Sequence, residues 1–145
     1  MNEAEYLKKR LDDQITWYDQ KSVCNQKWFK RLQVFQLAAA ASIPVLVNYV
    51  TDSSGWIRLL VALLGASIAI VSGIIGLYKL QENWLEYRTT CESLRHEKYL
   101  YLTKTEPYNT DDPFALLVNR VETLISKENT NWAQYMKKVA KGKKR

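Results

Sequence analysis

Apolar side chains at Ala4, Leu7, Leu11, Ile15 and Tyr18 recur every three or four residues, the period of one helix face, and predict an amphipathic helix over residues 3–31. The stripe turns polar at Ser22 and Asn25 and resumes at Trp28, Phe29 and Leu32. No Gly or Pro interrupts residues 1–43, so this helix can run straight into the next segment. Residues 32–50 carry no charge but contain Gln33, Gln36, Pro44 and Asn48, whereas residues 59–78 are free of Asp, Glu, Lys and Arg altogether. Mean hydropathy is roughly 1.5 over the first stretch and roughly 2.5 over 59–77, marginal and clear respectively for a membrane span. The polar turn 51–56 separates them, so they predict a helical hairpin with spans at 32–50 and 57–79. At 1.5 Å per residue each is about 28 to 30 Å long, the thickness of a bilayer's hydrocarbon core.

Beyond Lys79, Leu80, Trp84, Tyr87, Cys91, Leu94 and Tyr101 continue a helical stripe without a breaker, predicting an extension over 80–102. Residues 103–112 are polar and contain Pro107, a linker that ends in Asp112-Pro113, an N-cap followed by proline at the first helical position. Phe114, Leu117, Val121 and Leu124, with Tyr135 further along, give the apolar face of a last helix over 113–138, and 139–145 reads as a basic tail. The expected fold is all-α: one domain over 1–145, a two-helix transmembrane hairpin with a cytoplasmic bundle made by the N-terminal, post-span and C-terminal helices.

Charge supplies an orientation. Among 145 residues, 21 Lys and Arg against 15 Asp and Glu give a net charge of +6. Seven of the cations precede the first span, thirteen follow from Lys79 onward, and only Arg58 lies at the hairpin end, so the positive-inside rule predicts both termini in the cytoplasm. Trp28, Tyr49, Trp56, Tyr78 and Trp84 sit near the span ends, where amphipathic rings favour the membrane interface. The N-terminal 31 residues lack the early apolar core of a secretory leader. Two cysteines and one histidine give no metal-spaced cluster, and no phosphate loop or nucleophile–base set is present, so neither an enzyme nor a cofactor is expected. Cys91 and His96, five apart, do not share a helix face and read as a packed thiol and a surface imidazole.

Three groups of positions stand out. Gly65, Ala69, Gly73 and Gly76 form a smooth face on the second span, suited to close helix packing, either on the Ala38–Ala41 run of the same chain or on another subunit. Gln33, Gln36 and Asn48 are polar span positions, able to line a water path or to bond neighbouring helices. Trp84, Tyr87, Arg88, Glu92, Leu94, Tyr99 and Trp132 are expected to make bundle or oligomer contacts. Arg88 with Glu92, and Arg120 near Glu122, read as surface pairs by default.

The pattern Trp84-x-x-Tyr87-Arg88-x-x-x-Glu92-x-Leu94-x-x-Glu97-x-Tyr99, together with the hairpin, resembles the SLATT family of bacterial two-transmembrane effectors. Tyr18-Asp19-x-Lys21-Ser22 and Arg120-x-Glu122-x-x-Ile125-x-x-Glu128-Asn129-x-x-Trp132 are similar to that family as well. The resemblance implies an inner-membrane effector of anti-phage defence acting on the lipid bilayer, and a separate sensor or nucleotide-signalling protein is expected to trigger it. A homo-oligomer is expected, and the uncharged run argues against a soluble bundle binding nucleic acid, so no direct nucleic-acid contact is expected. Two spans cannot enclose water alone, so a conducting path requires several copies. The alternative is a non-conducting anchor or scaffold that recruits a soluble defence protein.

Overall fold

The computed structural model describes the backbone of residues 2–50 and 55–142, and their side chains except at 128, 129 and 131–142. The described elements are helical: α1 (Glu3–Tyr6), a π-helical turn (Leu7–Leu11), α2 (Asp12–Val47), α3 (Gly55–Tyr78), α4 (Leu80–Leu102) and α5 (Pro113–Gly142). They divide into two compact units, one from Met1–Ser22 with Leu85–Arg145, the other from Val23–Trp84.

In the first unit the chain opens on a capped helix, with Asn2 Oδ1 accepting from the Glu5 amide at 2.8 Å. The wide π turn then admits one extra residue, so Tyr6 and Leu11, five apart, both reach the core, followed by Ile15, Tyr18 and Ser22 at ordinary spacing. That register replaces the predicted stripe at its start: Tyr6 is buried, Leu7 only partly, and Ala4 is exposed. Cys91, Leu94 and Tyr101 of α4 and Leu117, Val121 and Ile125 of α5 close the core, in which Leu11, Cys91, Leu94, Leu117 and Val121 are each 0% exposed. Each such aliphatic side chain contributes about 1.5–3 kcal/mol by leaving water. The expected caps form: Asp112 Oδ1 accepts from the Ala115 amide at 3.1 Å ahead of Pro113. α4 ends in a Schellman motif, Lys104 N to Tyr101 O and Thr105 N to Leu100 O at 3.1 Å each, with Lys104 at φ 51° where glycine usually stands. α5 continues to Gly142, past the predicted end at 138, and the remainder of the expected basic tail lies outside the described residues.

In the second unit, α2 shields Phe29, Leu32, Gln36, Ala39, Ile43 and Leu46 and α3 shields Ile57, Val61, Leu64, Ile68, Val71 and Ile75, with Asn25, Gln26 and Ser67 half-buried outside these two sets. Both sets alternate steps of three and four, the 3.5-residue period of a coiled-coil seam. Ala39, Ile57 and Val71 are buried along it. Pro44 lies inside α2, which carries on to Val47. The helix expected to run on through Lys79 is interrupted there: Lys79 takes φ 45°, and the Asn83 side-chain amide donates to the Tyr78 carbonyl at 2.9 Å. Ser53 and Ser54, at the expected hairpin tip, are outside the described residues.

Candidate functional site

Two bidentate ion pairs tie the helices of the first unit together, and both use α5. Arg120 donates from Nε and Nη2 to the two Glu97 oxygens at 2.8 and 2.6 Å, and the Tyr108 hydroxyl donates to the same carboxylate. Two residues along, Glu122 accepts from Arg10 Nε at 3.0 Å and Nη2 at 2.9 Å, and from the Tyr6 hydroxyl at 3.1 Å. Planar guanidinium forks on carboxylates fix orientation as well as distance. Glu97 is 6% exposed. Burial pushes its carboxyl upward, but Arg120 and Tyr108 outweigh that and hold it below the ordinary range. Arg10 does the same for Glu122, against a smaller burial effect. Tyr6 is pushed up to about 12 by burial and by Glu122. The pair expected within α5, Arg120 with Glu122, is therefore not made; each residue reaches a different helix.

A third cluster surrounds Asp19, which lies 3.5 Å from both Arg88 and Arg95, while Arg88 holds Glu92 at 2.7 Å. The expected Arg88–Glu92 pair thus forms and extends to α2. Cys91 packs beneath it, its Sγ donating to the Ile15 carbonyl at 3.5 Å, and burial pushes the thiol up, so it stays protonated and unreactive. His96 is exposed. Tyr87 packs on the core and Trp17 meets it edge-on at 5.8 Å. Leu94 is central, whereas Tyr99, expected among the bundle or oligomer contacts, is 63% exposed and lies outside the core of its own chain. Trp84 falls in the other unit, and the side chain of Trp132 is outside the described residues.

Two cavities of about 280 and 500 Å³ lie between α4 and α5 and share Glu97 and Leu124 as walls, and a third of about 530 Å³, lined by α5 alone, shares Asn119 and Thr123 with the first. Among the described residues no cluster of His, Cys, Asp or Glu could hold a metal ion.

In the second unit, Gly65, Ala69, Gly73 and Gly76 are all exposed, and a Cβ built on any of the three glycines meets nothing within 4 Å. Ala39 packs into the α2–α3 seam, so the alanine run and the small-residue face are not partners within the chain. Gln36 donates to the Ser72 hydroxyl of α3, the interhelical bonding expected as one of its two roles; the partner Ser72 is what sequence reasoning missed. Gln33 and Asn48 are exposed. Large apolar side chains crowd another face of α3, with Leu59 61%, Leu63 58%, Ile70 63% and Leu77 82% exposed. Among the described residues one helical stretch, Gly55–Leu102, is long and apolar enough to cross a membrane; its most apolar window has hydropathy 2.5 and is 6% buried.

No curated protein and no solved structure matches the chain. Residues 13–114 match the family described as Protein of unknown function (DUF4231), a stretch running from the start of α2 into α5 that contains the Asp19 cluster and Glu97 with Tyr108, but not Arg120. With most of its length inside that match, the chain belongs to the DUF4231 family.

Proposed function

We propose that this protein is an oligomeric effector of prokaryotic anti-phage defence, spanning the inner membrane twice with both termini cytoplasmic, and forming a pore or otherwise disrupting that membrane when a separate sensor activates it. One observation carries the reading: α3 is apolar, its most apolar window is 6% buried within its own chain, and it has an open face of Gly and Ala beside a face of exposed Leu and Ile. In water such a helix would aggregate; in lipid the large residues meet acyl chains and the small ones let another helix approach. The SLATT resemblance supports it, since its central pattern falls inside the DUF4231 match. A non-conducting scaffold is the second reading, favoured by the two cavities between α4 and α5, which offer a soluble partner a place to seat.

Gly73→Leu tests the reading. A Cβ at Gly73 meets nothing within 4 Å in its own chain, so the substitution bears chiefly on what approaches that face from outside it. Insertion survives, while oligomers on native gels, dye release from liposomes and growth inhibition fall together; Ile74→Leu, about 100° round the helix, does much less. Toxicity that persists after the oligomer is lost removes the ring and leaves the scaffold.

A further inference from the structure

From Gln20 to Thr51 the sequence contains no Asp or Glu, yet Lys27, Lys30 and Arg31 stand together just ahead of the uncharged stretch of α2. Several cations elsewhere are matched with carboxylates: Arg10 with Glu122, Lys79 with Glu82, Arg88 and Arg95 with Asp19, Lys98 with Asp12, Arg120 with Glu97. No ion pair involves Lys27, Lys30 or Arg31 among the described residues, and all three are exposed or half-buried at most. Their spacing of three and four puts them on one helix face. Followed down the helix at the same spacing, that face becomes Val34, Ala38, Ala41 and Val45, with Val34 67% and Val45 58% exposed. Trp28, 56% exposed, borders the basic end, and Phe35, 47% exposed, lies below it.

We propose that this face of α2 binds one anionic phospholipid, with its phosphate held by Lys27, Lys30 and Arg31 and its acyl chain laid along Val34–Val45. A headgroup phosphate supplies the charge the protein omits. From Arg31 to Val45 the apolar strip is about 21 Å long at 1.5 Å per residue, which accommodates a chain reaching the bilayer midplane. A soluble polyanion would use the cations but leave the aligned apolar strip without purpose. The site rests on the membrane reading of Val23–Trp84 and requires neither a pore nor an oligomer.

The full-length protein in detergent micelles, offered equimolar phosphatidylglycerol and phosphatidylcholine, is read by native mass spectrometry. Each cation near a membrane surface contributes about fivefold, so the native chain retains phosphatidylglycerol by about tenfold or more over phosphatidylcholine. Lys27→Gln/Lys30→Gln/Arg31→Gln brings the two lipids to parity, whereas Lys27→Arg/Lys30→Arg/Arg31→Lys keeps the preference. Lys8→Gln/Lys104→Gln/Lys127→Gln, with the same loss of net charge, keeps it as well. Parity in the native chain, or a preference that survives the triple glutamine change, overturns the site. Displacement of the lipid by millimolar glycerol phosphate makes the occupant a free phosphate, and binding of a short RNA that the triple change abolishes makes it a nucleic acid; either result also overturns it. A chain that carbonate washing strips from membranes defeats the membrane reading itself, while one that stays inserted, prefers the anionic lipid and releases no dye defeats only the proposed function.

Discussion

Replacing Arg120 by Met leaves the Glu97 carboxylate in a bundle core with the Tyr108 hydroxyl as its remaining close partner. The two members of the pair are unequal: the Glu97 side chain is 8% exposed and that of Arg120 is 45%. Stripping the partner from a fully buried charge costs about 3–5 kcal/mol. Water reaches the Arg120 side of this pair, so the expected loss is smaller, about 2–3 kcal/mol at pH 8. For a bundle of this size that lowers the unfolding midpoint by about 10–20 °C. Glu97→Gln strands instead a guanidinium that solvent already reaches, and costs about 1 kcal/mol. A second signature separates electrostatics from lost packing. Without Arg120 the burial that raises the Glu97 carboxyl is opposed mainly by Tyr108, so the carboxyl shifts upward and the deficit shrinks as pH falls from 8 into the acid range. Thermal unfolding of the detergent-solubilised chain, followed by the emission of Trp17 where it meets Tyr18 and Tyr87, measures both quantities. An Arg120→Met protein as stable as the parent at pH 8, or with a deficit independent of pH, would show that the clamp does not hold the bundle.

Lys104 occupies the left-handed position of the α4 cap at φ 51°, so Lys104→Gly should raise the unfolding midpoint by about 1 kcal/mol equivalent, and Lys104→Val should lower it by at least as much in chemical denaturation. Glu97 and Glu122 both titrate below the ordinary value of 4.5, so their stabilisation is complete above that pH and is lost as pH falls through their lowered values; an acid titration should show a flat midpoint from pH 7 to 5 and then a decline. Tyr6 and Tyr101 are raised from 10 to about 12, so a second decline should begin above pH 10 as the unfolded chain ionises first.

The helical face of α5 was readable because Leu117 and Val121 keep the 3.6-residue period that burial demands, and the same holds for Cys91 and Leu94 on α4. Tyr6 was not readable in the same way. Its five-residue step to Leu11 belongs to a π turn, which a search at three and four passes over. Glu97 lay within reach: stepping three from Leu94 and four on to Tyr101 lands on it, and a carboxylate on an apolar stripe signals a buried pair. Its partner was hidden, because an ion pair 23 residues away leaves no local periodicity, and the separation of 112 residues between Arg10 and Glu122 still less. The local reading therefore matched Arg120 with the nearest acid in sequence, which points elsewhere.

The faces of α3 show why the small-residue stripe needs a reason outside its own chain. At about 100° per residue, the seam positions Ile57, Val61, Leu64, Ile68, Val71 and Ile75 cluster on one side, and Gly65, Ala69, Gly73 and Gly76 lie roughly 115° away. Intrachain packing is thus served by branched side chains at coiled-coil spacing, and the glycines contribute nothing to it. A helix that merely faced lipid on its remaining surface would gain from large apolar residues all round, since each added methylene favours the hydrocarbon, and Leu59, Leu63, Ile70 and Leu77 follow that rule on the third face. Glycine in place of alanine costs about 1 kcal/mol of helix propensity in a soluble helix interior. Three such positions confined to one open face, on a helix with abundant leucine elsewhere, are costly for a monomer and suited to close approach by a second helix. For this reason Gly73, rather than the glutamines of α2, is where the assembly should be most sensitive to added volume.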